Sequence, residues 1–242
     1  MSNGVQVCNG LKVYRGYAES SDSSTMENPL GATLMLDDGR AFRYLRAKEA
    51  VAIGQLVKAY VAIKDDDVDA AASDATLTST SQFTAAEYDD GGCFAVINAN
   101  TGIGQVRRVI SNTASVLYLD RAWSTAVDAT SDFVTFSPYW VKVTASACDA
   151  VAGVAISAIS SGYYGWFQIG GLCPQVRFAG NTDAGAALEG CVASAAAGVA
   201  KGFTNGGTTA DEAAAAFGYP LVAWAGSDSA GTGVPVMLTR VL

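Results

Sequence analysis

The stretch NANTGIGQVRRVI, residues 98–110, sets two glycines, a glutamine and two adjacent arginines between runs of β-forming residues. As a phosphate cradle it would imply an α/β chain, with backbone N–H groups at a helix N-terminus facing an anion. As a turn it would join two antiparallel strands. A Walker loop needs Lys followed by Ser or Thr after its last glycine, whereas Val106, Val109 and Ile110 lie beyond Gly104. Those residues favour a strand, and the glycines permit the tight turn of a hairpin. Around this hairpin the pieces CFAVI, VRRVI, SVLYL and FVTF are strand-length, and NANTG, SNTA and DATSD between them are turn chemistry. Residues 75–137 therefore predict a small antiparallel β module.

The rest of the 242-residue chain has the same texture. Gly is frequent at 26 residues, and short Thr, Val, Ile, Tyr, Phe and Trp runs are broken by Gly, Asn, Asp and Ser, the pattern of many short strands. The expected fold is mainly β: a compact, glycine-punctuated, barrel-like or tulip-like domain made of residues 39–74 and 138–242, interrupted by the module. Within it, residues 39–63 predict two strands with Gly54 turning between them. YYGWFQI is apolar at nearly every position, as in a strand covered on both faces. Gly153, Ile156 and Ala158 share their spacing with Gly218, Leu221 and Ala223, and AVAIGQLV at 50–57 is loosely echoed by AALEGCV at 186–192. The chain can thus be laid out as a strand pair, the module and a strand pair, followed by both types of pair again. Glycines within the Ala-rich tract 184–200 weigh against a helix. A short helix is expected at TADEAAAAF, 209–217, with Thr209 as its cap. KDDDVDAAASDA, 64–75, lacks the ligand order of a calcium loop and reads as a solvated linker. Residues 1–38 lack a core pattern and read as an extended arm, with Val7, Val13, Tyr14 and Tyr17 as its apolar anchors.

Composition narrows function further. A formal net charge of −8 argues against a nucleic-acid partner, because neutralising a phosphate backbone takes clustered basic residues. Arg40, Arg43, Arg46 and Lys48 read as a solvated strand or a docking strip. The chain has no histidine, which removes Ser-His-Asp and Cys-His catalysis and most zinc ligand sets. Cys8, Cys93, Cys148, Cys173 and Cys191 form no CxxC pair and read as small buried residues of a protein made in a reducing cytoplasm. The N-terminus does not read as a signal peptide, and ACDAVAGVAISAIS is too short to cross a bilayer. No catalytic, cofactor or metal constellation is legible.

GIGQVRRVISNTASVLYLDRAWSTAVDATSDF, with its GxGQ-x-R turn, NTA turn, Trp and DATS turn, resembles a small β module common in structural proteins of tailed bacteriophages. The flanking AVAIGQLV, VAGVAISAISSGYYGWFQIGG and GVPVMLTRVL are similar to phage capsid decoration, or cement, proteins. A minimal cement protein would not need the inserted module, which leaves its placement on the particle open. The resemblance implies a non-enzymatic virion protein made in the bacterial host cytoplasm. It would sit on the outer face of the head as a homo-oligomer, with a trimer favoured, and clamp neighbouring major capsid protein subunits. Two other readings remain. One is a tail, baseplate or head-fibre component whose module binds a receptor or glycan through residues such as Tyr118 and Trp123. The other is a glycoside hydrolase drawing on Glu87, Asp89, Asp120, Asp128 and Asp132.

Overall fold

The computed structural model describes residues 5–8, 11–14, 22–60, 66–69, 74–145, 149–178, 191–194, 197–202, 216–222 and 233–239. Among these the regular structure is all strand, in line with the mainly β fold expected. In chain order the strands are β1 (Val5–Cys8), β2 (Leu11–Tyr14), β3 (Thr33–Met35), β4 (Ala41–Ala47), β5 (Leu56–Ala59) and β6 (Asp66–Asp67). Then come β7 (Thr76–Thr78), β8 (Phe94–Ala99), β9 (Val106–Asn112), β10 (Val116–Leu119), β11 (Asp132–Phe136) and β12 (Trp140–Val143). The last six are β13 (Gly153–Ala155), β14 (Tyr164–Arg177), β15 (Cys191–Ala193), β16 (Ala200–Gly202), β17 (Gly218–Pro220) and β18 (Gly233–Leu238). The chain divides into two compact units, one of Met1–Ala59 with Val141–Leu242 and one of Tyr60–Trp140.

The larger unit repeats one topology twice. In the first copy β4 neighbours β12, β12 pairs with β5, β5 with β13, β13 with β14, and β14 returns to β4, closing the ring. In the second, the distal half of β14 pairs with β18, β18 with β17, β17 with β15 and β15 with β16, and a parallel bridge from Ala200 to Phe178 closes the circuit. Closure leaves few unpaired edges. The registers match as well. Ala41 faces Gly170 as Gly171 faces Leu238, and Gly153 faces Val57 as Gly218 faces Cys191. The echo between Gly153 and Gly218 is therefore structural. At either position a Cβ would lie against the adjoining strand, 2.8 Å from Phe167 Cβ or 2.4 Å from the Met237 carbonyl oxygen. The module occupies the β5–β12 connection of the first barrel, where the second turns from β15 to β16 within a few residues.

β14 belongs to both barrels. Its proximal residues Tyr164–Gln168 are all buried, in agreement with the strand covered on both faces. A bulge between Gln168 and Gly170 re-aims the strand, and the Gln168 amide holds the bend by donating from Nε2 to the carbonyls of Gly170 and Leu172, each at 3.0 Å. Gly171 follows at φ 76°. A side chain there would put its Cβ 2.6 Å from the Gly39 carbonyl oxygen. Leu56, Val154, Cys173, Val176, Cys191, Phe217, Val236 and Leu238 belong to a core cluster that includes the second barrel's interior, each large side chain contributing about 1.5–3 kcal/mol by leaving water.

Two boundaries differ from the sequence reading. The arm expected over 1–38 divides: residues 5–8 and 11–14 pair as the β1–β2 hairpin, a two-stranded sheet of its own, whereas residues 22–36 belong to the barrel. Ser23 bridges Tyr164, β3 pairs with β4, and Leu30, Ala32, Leu34 and Leu36 cover Phe42, Tyr44, Tyr164 and Trp166. The segment looks coreless in sequence because its apolar residues complete a cluster supplied by remote strands. The Asp-rich linker also contributes to structure, since Asp66–Asp67 pair with β11 and Val68 is buried in the module core. The module thus begins at Tyr60 and ends at Trp140, not at 75 and 137. The helix expected at 209–217 falls mostly outside the described residues, where only Ala216 and Phe217 are seen.

The module is a six-stranded antiparallel sheet in the order β6-β11-β8-β9-β10-β7. Its strands alternate, burying Ala95, Ile97, Val109, Leu117, Leu119 and Phe133 with Phe83, Tyr88, Trp123 and Trp140. Tyr88 stacks on Trp140 at 5.3 Å, and the Trp140 indole N–H donates to Asp90 at 2.8 Å. β8, the 98–110 turn and β9 form the hairpin that the opening stretch predicts.

Gly171→Ala combines a left-handed backbone with a backbone clash, so it should destabilise the chain by roughly 2–5 kcal/mol. Gly39→Ala, with φ 84° and nothing within 4 Å of its Cβ position, should cost about 1 kcal/mol. Urea midpoints of the two variants would check the difference.

Candidate interaction surfaces

The residues of the GxGQ-x-R turn are consumed inside the module. Asn100, Gly102 and Gly104 take positive φ, shaping the turn. Gln105 then clamps the loop that follows β10: its Oε1 accepts the N–H groups of Ser124 at 2.7 Å and Thr125 at 3.0 Å, and its Nε2 donates to the Thr125 carbonyl at 2.9 Å. Arg107 points inward, 5% exposed. Its guanidinium donates to the carbonyls of Ala122 (2.9 Å) and Val106 (2.8 Å) and to Ser124 Oγ (3.0 Å), and lies 5.2 Å over the Trp123 ring. Across the DATS turn, Asp128 accepts both Thr130 N–H and Oγ–H, which holds its carboxyl below the usual range, while Ser131 Oγ donates to the Thr101 carbonyl. Asn112 of the NTA turn joins Thr84, Tyr88 and Thr113. The motif residues are loop fasteners.

The acids considered for catalysis are similarly engaged. Asp89 accepts Asn112 N–H (3.2 Å), Asp120 accepts Arg108 N–H (3.1 Å), and Asp132 accepts the Asn100 amide (3.5 Å). Asp89, Asp90 and Asp120, with Gly91, Arg108 and Ile110, line a shallow depression of about 350 Å³. Glu87, Asp128 and Asp132 are not in its lining. A general acid of the glycosidase type needs a carboxyl raised toward neutrality, whereas the shifts at Asp69 and Asp128 run downward under hydrogen bonds from Thr80 and Thr130. Among the described residues, no three or more His, Cys, Asp or Glu gather as a metal cage.

Apolar surface is the other candidate feature. The outward positions of β9 and β10 expose Val106, Ile110 and Tyr118, with Arg108 among them, and Ile103 stands at the turn. Beside them on the same face the half-buried Phe94 and Phe136 stack at 5.6 Å. Tyr118 is outward at 44% exposure; Trp123 is inward, its indole N–H on the Thr76 carbonyl at 2.8 Å. Two-residue alternation separates Val106, Arg108 and Ile110 from Arg107 and Val109, but which of the two sets faces the core does not follow from the sequence. Of the expected anchors, Val7 sits opposite Lys12, Val13 opposite Gln6 and Tyr14 opposite Val5 in the β1–β2 hairpin. Tyr17 lies outside the described residues. The basic strip is drawn into local contacts: Arg40 pairs with Asp38 at 2.6 Å, and Arg46 stacks over Tyr164 and donates to the Gly162 carbonyl.

Cys93, Cys173 and Cys191 are buried and not joined in disulfides, as expected of small apolar residues. Burial pushes the Cys173 thiol up to about 11 and that of Cys191 up to about 12, from an ordinary 9.0. Neither a protein-family model, nor a curated protein, nor a solved structure matches this chain.

Gln105→Ala uncaps two backbone N–H groups and should cost about 1–2 kcal/mol, seen as faster hydrogen exchange at Ser124 and Thr125. For the thiols, the unfolded chain ionises near 9.0 and the folded chain only near 11 to 12, so the folded state retains more protons across that interval. Their contribution to stability is complete below pH 9 and is lost as pH rises through 11. The urea midpoint should fall over this range, and the fall should be shallower in Cys191→Ala.

Proposed function

We propose that this chain is a structural virion protein that binds the outer surface of a tailed-bacteriophage head and stabilises contacts between major capsid protein subunits. The observation that carries the reading is the division of labour among side chains. Those with chemical capability in the module are fastened into loop clamps, while apolar side chains stand exposed on a sheet face. Closed barrels joined through one strand make a stiff body suited to spanning a seam. The net charge of −8 suits an outward surface better than one facing packaged DNA. Such a clamp acts by binding the assembled shell better than free subunits, shifting the equilibrium by its differential affinity. Many weak contacts then add through multivalency. The protein acts as a homo-oligomer, a trimer being favoured by the resemblance to cement proteins. The β1–β2 hairpin contributes to capsid or neighbour contact, because a two-stranded hairpin is marginal in water until something covers it.

Tyr118 on the module's outer face favours a second reading, a tail, baseplate or head-fibre component that binds a receptor or glycan; the inward Trp123 counts against it. Copy number separates the two, hundreds per particle for a cement protein against a few to dozens for a tail part. Removing residues 1–21, which spares the segment built into the barrel, should lower occupancy on purified heads about tenfold or more, equivalent to at least ~1.4 kcal/mol. Unchanged occupancy would refute the role of the hairpin, and absence of the protein from intact virions would refute the reading altogether.

A further inference from the structure

The two barrels carry apolar residues at equivalent outer positions, but among the described residues only those of the first are covered. By register, Phe42 opposite Gln168 in the first barrel corresponds to Leu172 opposite Met237 in the second. Ile156 and Leu221 each stand three residues after the equivalent glycines Gly153 and Gly218, and Trp166 corresponds to Pro235. In the first barrel residues 22–36 lie across this face: Phe42 is 4% exposed and Ile156 packs into the same cluster. In the second, Leu172 is 43% and Leu221 37% exposed, with Val222 exposed beside them and Met237 half-buried.

The asymmetry has a covalent cause. The first strand of the first barrel, β4, is preceded by free chain, which folds back as β3 and its flanks. The first strand of the second barrel is the continuation of β14, so no chain end precedes it to lie over the face. Yet the face has kept large apolar residues, and leaving them in water costs about 25 cal/mol per Å² relative to burial. Among the described residues, one stretch stands ready to cover it. The β1–β2 hairpin immediately precedes the segment that covers the first barrel, and it pairs with no other described strand.

We propose that the outer face of the second barrel, centred on Leu172, Leu221 and Met237, receives the N-terminal hairpin of a second copy of this chain. Each copy thereby donates at one end and accepts at the other. This head-to-tail geometry closes into a ring when the rotation permits. The inference goes beyond the capsid reading and does not require it, because the contact is between copies of the chain in solution.

The test uses the full-length protein. Benzoylphenylalanine at position 172 is irradiated in a mixture of isotopically light and heavy chains, and the cross-linked peptides are sequenced by mass spectrometry. The expected product joins position 172 to a peptide from residues 1–21 of the other isotopic form. In parallel, light scattering should show that Leu172→Asp with Leu221→Asp weakens self-association at least tenfold, as should removal of residues 1–21. Circular dichroism would confirm that these variants, altered at exposed positions or outside the barrels, remain folded. Cross-links confined to one chain, cross-links to any other segment, or a wild-type protein that stays monomeric would each overturn the inference. Heads left undecorated by a protein that does self-associate this way would instead count against the proposed function alone.

Discussion

A single strand shared between two closed β-barrels is the constraint on which the larger unit depends. β14 must satisfy β4 on its proximal half and β18 on its distal half, and it changes partner where Gly170 faces Ala41 and Gly171 leaves no room for a side chain against the Gly39–Arg40 backbone. The bend is fixed by a bulge, a left-handed glycine and a glutamine amide holding two carbonyls. Each device is local, but together they set the register of ten strands. Because a one-residue slip in a strand exchanges its inner and outer faces, the Gln168–Leu172 fastening also decides which residues of the second barrel are core and which are surface.

The module solves a different problem by similar means. Its loops are long for a small sheet, and long loops have many backbone groups to satisfy. Gln105, Arg107, Asn112 and Asp128 bind those groups from neighbouring strands and turns, with Trp123 and Trp140 tethered by their indole N–H groups. Arg107 is buried with carbonyls, an amide oxygen and a hydroxyl as its acceptors and the Trp123 face above it, an arrangement that suits the planar, many-donor guanidinium. A motif that looks like a ligand loop in sequence is thus the means of holding a loop-rich sheet rigid.

Internal duplication without equal covering gives the molecule its polarity. Phe42 and Leu172 occupy the same place in the same barrel, and one is core while the other is surface. Among the described residues, the difference follows the chain that precedes the first barrel's first strand and packs over Phe42. Among the described residues the duplicated unit thus has one covered face and one exposed one, the asymmetry on which the proposed contact between copies rests.

The amino-acid sequence by itself determined the β class, the hairpin at 98–110 and the repeat marked by Gly153 and Gly218. All three rest on short-range physics: β-branched runs, positive-φ glycines and close strand approach act over a few residues and leave a direct trace. The module was visible for the same reason, though its start at Tyr60 was not, since Val68 becomes core only when β11 and β7 are in place. Coverage was decided by the tertiary structure. Alternation identifies the two faces of a strand, but whether a face meets water depends on chain remote in sequence. That is why residues 22–36 read as a coreless arm yet bury an aromatic cluster, why Arg107 rather than Arg108 lies inside, and why the bare face at Leu172 could not be foreseen.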